Sequence, residues 1–434
     1  MTLDSAQLKR DIGYLGAAFL VLNSMIGAGI FALPGKVAVN AGLLSPWLFL
    51  GVGALFLTVV LVFAELASYY KTTGGPVLYA TDAFGPLAGF STGWAIYLSR
   101  MTAFAANANV MALYVGTLHE TLATQEARWI IISAVTVGLA RVNVTGVRDG
   151  VLAMGVFTVL KVVPLLFLIT LGLSSVGFVH WFPVNTVIPE ELGATTLLLI
   201  YAYVGFETVA VTAGETSQPR RTLPRALVTT VLCAGLLYFF IVLVFVAVIP
   251  SDAYGTATLV DVGRALAGTA GALVITVAAV FSIGGNLAGS MLAAPRLLFS
   301  MAEKRMIAPQ LARIHERYST PYISIYLMTA MALALALSGS FVLLAVASSV
   351  VRLLGFMICI ASLPAVRHKA SSETRARAFQ LPGGWLIPIV AFVICIWLTS
   401  HSTTQAWQVV IVLLLIGWLL YGIERIRLRS RALK

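Results

Sequence analysis

The chain has 434 residues, of which 59% are hydrophobic and only 10% charged, and it carries a formal net charge of +11. A soluble domain has about a quarter charged residues and cannot hide this much apolar surface from water, so a soluble globule is excluded. The excess of positive charge fits membrane loops better than nucleic acid. Cys233, Cys359 and Cys395 lie in apolar runs, without metal-binding spacing or a disulfide framework.

Met1 to Asp11 is short and polar, and the apolar run behind it leads into a Gly-Pro segment. No cleavable leader is expected there. A helix crossing a bilayer core needs about 20 apolar residues. Twelve runs fit: 13–39, 44–70, 84–116, 129–143, 150–174, 193–214, 224–249, 265–300, 322–338, 340–364, 385–400 and 405–423. Their connections are short, so residues 1–434 are read as one all-α membrane domain.

Orientation follows from Lys and Arg in the loops. With the N-terminus inside, 22 of these cations fall on the inner side and only Lys36, Arg128 and Arg264 on the outer. One missing or extra run would scramble this asymmetry. The expectation is therefore an integral protein of a bacterial inner membrane with both termini cytoplasmic. Arg100, Lys161 and Arg352 remain inside runs.

The first run contains Ser24-Met25-Ile26-Gly27-Ala28-Gly29-Ile30-Phe31-Ala32-Leu33-Pro34-Gly35. Gly costs a helix about 1 kcal/mol relative to Ala, and Pro about 3. The two glycines therefore permit unwinding, or else close helix packing. The sixth run, Tyr201-Ala202-Tyr203-Val204-Gly205-Phe206-Glu207-Thr208, again has a mid-run Gly, now beside a carboxylate. Corresponding interruptions in two halves point to a transporter built from repeats. The third and eighth runs are both long, and the fifth and tenth each hold a cation, Lys161 and Arg352. Five helices per repeat give 13–174 and 193–364 as inverted repeats, with two additional helices at 385–423. A broken helix frees N–H groups on one half and C=O groups on the other. Those amides suit a carboxylate and those carbonyls an ammonium, so two adjacent breaks can hold a zwitterionic amino acid.

At these residues the chain resembles the amino acid–polyamine–organocation superfamily. The resemblance runs to about residue 364. Its pieces are Gly27-Ala28-Gly29-Ile30-Phe31 with Pro34-Gly35, and Glu65-Leu66 with Gly74-Gly75-Pro76. Further on come Gly205-Phe206-Glu207 with Gly214-Glu215-Thr216, Pro219-Arg220-Arg221-Thr222-Leu223-Pro224-Arg225-Ala226, and Pro295-Arg296-Leu297-Leu298-Phe299-Ser300. The resemblance implies a LeuT-type fold of two inverted five-helix repeats, with helices 1 and 6 discontinuous, and alternating access. It implies that the substrate carboxylate meets the amides of Gly27, Ala28 and Gly29. The α-amino group would meet carbonyls near Met25 and Ile26 and those of Tyr201 and Val204, with Tyr203 or Phe206 as a gate. Lys161 matches the position where some members carry a lysine in place of a bound sodium ion, and Ser282 is its expected neighbour. Arg100 departs from the pattern, since many members lack a cation there, and it is a candidate substrate contact.

An ionisable group inside a span is a functional candidate by default. Lys161 is either the coupling group of a proton symporter or a strut on unwound carbonyls. Glu207 is either an acid/base group or half of an ion pair with Arg100 or Arg352; Arg352 is read as a structural ion pair, and Arg100 as either an ion pair or a contact with substrate. Glu65, near the inner face, is read as an anchor for a gate or loop. No nucleotide-binding loop, pore ring, catalytic triad or metal cluster is apparent. The expected function is secondary active transport of amino acids, with an obligate amino acid/polyamine exchanger or an exporter as alternatives. No enzyme activity, cofactor or metal is expected. The partners are substrate, protons and lipid.

Overall fold

The computed structural model describes residues 12–70, 74–145, 150–183, 191–211, 213, 216–381 and 383–432. Of the motif residues, Gly214 and Glu215 lie outside these, as do the loop cations Lys9, Arg10, Lys71, Arg148 and Lys434. The described residues contain no strand. The only bridge among them joins Ile12 to Thr216.

Helices run the length of the chain. They are α1 (Tyr14–Met25), α2 (Gly29–Ala41), α3 (Ser45–Tyr69), α4 (Gly75–Phe84), α5 (Pro86–Gly116) and α6 (Gln125–Thr145). Next come α7 (Gly150–Gly172), α8 (Phe178–Trp181), α9 (Leu192–Tyr203), α10 (Thr208–Val211), α11 (Pro219–Val248) and α12 (Leu259–Glu303). The last are α13 (Tyr322–Ser338), α14 (Phe341–Lys369), α15 (Ser372–Arg377), α16 (Leu386–Ser400) and α17 (Thr404–Ala432). Among the described residues, seven helical stretches are long and apolar enough to cross a membrane, and four shorter helices are also apolar. The protein is an integral membrane protein.

Local chemistry sets the boundaries. Gly85, at φ 88, closes α4 by donating its amide to Thr81 O, and Pro86 opens α5 where no helical amide is needed. Thr258 and Asp261 form a reciprocal cap at the start of α12. Within α12 the backbone leaves helical angles at Ala267 and Gly268, so this long element is bent near its start. Arg100, Asn107 and Asn109 sit on α5, which is 31 residues long and packs mainly on α12 and α14. Most of its polar side chains therefore face protein instead of lipid. The other dominant contact joins α3 to α11.

Candidate functional site

The helix of the first run stops at Met25 and resumes at Gly29. A helix end leaves carbonyls without intrahelical donors, and every one here has found a partner. Leu22 O accepts from the Ile26 amide at 2.9 Å, and Met25 O from the Gly27 amide at 2.9 Å. Asn23 O accepts from Lys161 Nζ at 3.3 Å and Ser24 O from Asn286 Nδ2 at 2.9 Å. Ile26 O takes two donors, Lys161 Nζ at 2.8 Å and Ser282 Oγ at 3.2 Å. On the far side, Phe31 and Ala32 donate back to Ala28 O. The amides of Gly29 and Ile30 precede that first helical bond, at the positive end of the α2 dipole.

The second interruption lies between α9 and α10. Val204 is extended, and Gly205 has φ 110, a region that L side chains rarely adopt. The Gly205 amide donates to Glu207 Oε2 at 3.0 Å. The two interruptions touch. A Cβ on Gly205 would lie 2.5 Å from Ser24 O, and one on Gly29 would lie 2.9 Å from Ala202 Cα. The hydroxyl of Tyr238 on α11 bridges them, 3.1 Å from Ala202 O and 3.4 Å from Met25 O.

The buried charges gather around Glu207. Arg352 Nη1 lies 2.8 Å from Glu207 Oε1, and Arg352 Nε donates to Ser99 Oγ at 2.6 Å. Arg100 Nη2 donates to Thr208 Oγ1 at 2.8 Å and stands 3.8 Å from Glu207 Oε1. Lys161 has no carboxylate partner among the described residues. It is fully buried and held by carbonyls alone. Glu65 instead takes Arg367 through two bonds of 2.7 Å and the Leu381 amide at 3.1 Å, tying the end of α3 to α14 and to the segment before α16.

A polar relay that sequence reasoning missed joins the same region. Tyr201 OH donates to Asn107 Oδ1 at 2.6 Å, and Asn107 Nδ2 donates to Asn286 Oδ1 at 2.8 Å. With the Asn286 bond to Ser24 O, it links α9 to the end of α1 through α5 and α12. Amide side chains inside apolar runs were the available signal.

Several expected site residues point elsewhere. The Tyr203 hydroxyl donates to Phe49 O at 2.6 Å, and its ring packs on Tyr238. Phe206 packs edge-to-face on Phe56 and Phe63 and tilted against Phe356. Both rings are committed to packing, so a gating role has no support in this arrangement. Both lone pairs of Ile26 O are engaged, which leaves none for a substrate ammonium. Gly29 faces Ala202 and Gly27 faces Asn286, not open space. Close approach of backbone excludes a Cβ at Gly29, whereas at Gly27 the neighbour is a side chain that would have to give way.

An integral helical membrane protein with two facing helix interruptions has the build of a carrier. The sequence profile of the family described as amino acid permease matches residues 12–421. The serine/threonine exchanger SteT of Bacillus subtilis (strain 168) is 30% identical over 88% of this chain and 89% of its own length. The branched-chain amino acid permease BcaP of the same organism is 26% identical, over 99% of this chain and 95% of its own. The human large neutral amino acids transporter small subunit 2 is 28% identical, over 72% of this chain and 62% of its own length. The chain belongs to the amino acid permease family. Its members here are transporters of amino acids, not enzymes.

Proposed function

We propose that the protein is a secondary active amino acid transporter of LeuT-type fold, with 13–174 and 193–364 as inverted repeats and helices 385–423 added to them. In this reading α1 with α2, and α9 with α10, are the discontinuous spans 1 and 6. The packing pattern supports it. Exchange each span for its counterpart five spans away, and neighbours remain neighbours. The α5–α14 contact becomes α12–α7, α1–α7 becomes α9–α14, and α1–α11 becomes α9–α3; α3–α11 and α6–α13 map onto themselves.

Substrate sits between the two interruptions, its carboxylate on the amides at the start of α2 and its ammonium on carbonyls of the 201–204 segment. Glu207 and Arg352 hold the second interruption to α5 and α14. Coupling is to protons through Lys161. The observation that carries this is the Lys161 ammonium on Ile26 O at 2.8 Å, with Ser282 on the same oxygen. Protonated, the lysine holds the end of α1 to α7. Deprotonated, it releases that end, and the inward–outward balance shifts by the difference in binding. A second reading, obligate exchange, is favoured by the 30% identity to an exchanger. Flux in proteoliposomes separates the two. Uptake driven by an imposed proton gradient without internal substrate supports symport. Uptake that requires internal amino acid and ignores the gradient supports exchange and makes Lys161 a strut.

A further inference from the structure

Two guanidiniums converge on one carboxylate. The Glu207–Arg352 pair is complete in itself, for Arg352 also holds Ser99, and Glu207 also holds the Gly205 amide. Among the described residues Arg100 has no carboxylate of its own. Its hydrogen bond goes to Thr208, and Glu207 is 3.8 Å away, beyond bonding distance. The Arg100 side chain retains 11% exposure, against 4% for Arg352 and 1% for Glu207. None of its nitrogens is both buried and without a partner. Its remaining donors therefore keep some access to space beside Thr208, the residue that opens α10 after the second interruption.

Charge counting decides what that space accepts. Among the described residues, two guanidiniums against one carboxylate leave the cluster one positive charge in excess. A zwitterionic amino acid brings no net charge and leaves the excess uncompensated. An amino acid with a second carboxylate brings one negative charge and cancels it. The planar guanidinium fork matches a carboxylate through two parallel bonds, which an ammonium cannot do.

We propose that Arg100 is a specificity-determining residue that selects amino acids bearing a side-chain carboxylate. This rests on the transporter reading above. It departs from the relatives, two of which are named for branched-chain and large neutral amino acids.

The test compares isosteric pairs that differ in charge: L-glutamate with L-glutamine, and L-aspartate with L-asparagine. Affinity is measured on the purified wild-type protein. The acid is expected to bind at least about tenfold tighter than its amide in one of the pairs. Arg100→Gln abolishes that ratio, and Arg100→Lys keeps its direction with weaker affinity. Equal or better binding of the amides by wild type overturns the proposal, whatever the variants do. So does an unchanged ratio in a monodisperse Arg100→Gln, which leaves Arg100 as a strut on Thr208. Binding of neutral amino acids alone defeats this inference and spares the transporter reading. Absence of binding and flux for every amino acid defeats both.

Discussion

The Lys161 ammonium donates to Ile26 O across 2.8 Å, at the point where α1 gives way to α2. An ammonium has three donors and no acceptor, and Lys161 spends its donors on backbone carbonyls of one segment, Asn23 O and Ile26 O. Loss of the proton weakens the hold of α7 on α1 without disturbing the ion pairs at Glu207. In the proposed proton-coupled cycle, proton occupancy and the position of the α1 end are two views of one equilibrium.

Lys161→Ala is expected to lower gradient-driven uptake by more than about tenfold while weakening substrate binding less, because the lysine contacts the scaffold of the site. Lys161→Arg does not restore uptake, since a guanidinium keeps its proton. Uptake and binding by each variant across a range of pH check this. Gradient-driven uptake that persists in Lys161→Ala moves the coupling proton elsewhere, with Glu207 as the next candidate.

Gly205→Ala is expected to lower thermal stability and uptake together. The positive φ costs an L residue about 1–3 kcal/mol, and the new Cβ would press on Ser24 O at 2.5 Å. Gly27→Ala meets only the Asn286 side chain, at 3.0 Å, which would have to shift slightly against its bonds to Asn107 and Ser24. It should be the milder change. The apparent unfolding temperatures of the two purified variants, measured side by side, rank them. A Gly205→Ala protein as stable as wild type would mean that the two interruptions do not touch as described.

Placing both termini in the cytoplasm rests on 22 inner against 3 outer loop cations. A reporter active only in the cytoplasm, fused after Lys434, should be active, and a periplasmic reporter at the same place silent. The opposite result would require one span more or fewer.

The helical class was legible because length and hydropathy alone demand it. The two interruptions were legible in Gly27, Gly29 and Gly205, since glycine is the residue type that helix interiors tolerate least after proline. Side-chain direction was not. The segment around Tyr203 is apolar on all sides, so periodicity names no face, and only the structure turns its hydroxyl toward Phe49 O. Which arginine holds Glu207 closely is not encoded locally, because Arg352 lies 145 residues from it in sequence and one contact distance decides. The relay through Asn107 and Asn286 depends on four helices meeting, which no local pattern encodes.

The two cations around Glu207 should differ sharply when removed. Arg352 is buried, bonded to Glu207 at 2.8 Å and to Ser99 at 2.6 Å. Arg352→Met strands the Glu207 carboxylate with a partner 3.8 Å away, so a loss of stability of about 3–5 kcal/mol is expected. Adding Glu207→Leu removes the stranded charge, and the double variant should recover much of that loss, as buried pairs replaced by apolar groups commonly do. Arg100→Met leaves the Glu207–Arg352 pair intact and gives up the bond to Thr208 and the longer, 3.8 Å approach to Glu207. Its cost should be smaller, about 1.5–3 kcal/mol, that of a hydrogen bond to a charged group. A double-mutant cycle on apparent unfolding free energies measures the coupling. Coupling of Glu207 to Arg352 well above its coupling to Arg100 is the expected result. Equal couplings would mean that the carboxylate is shared, that Arg100 has no charge to spare for a ligand, and that both arginines are structural.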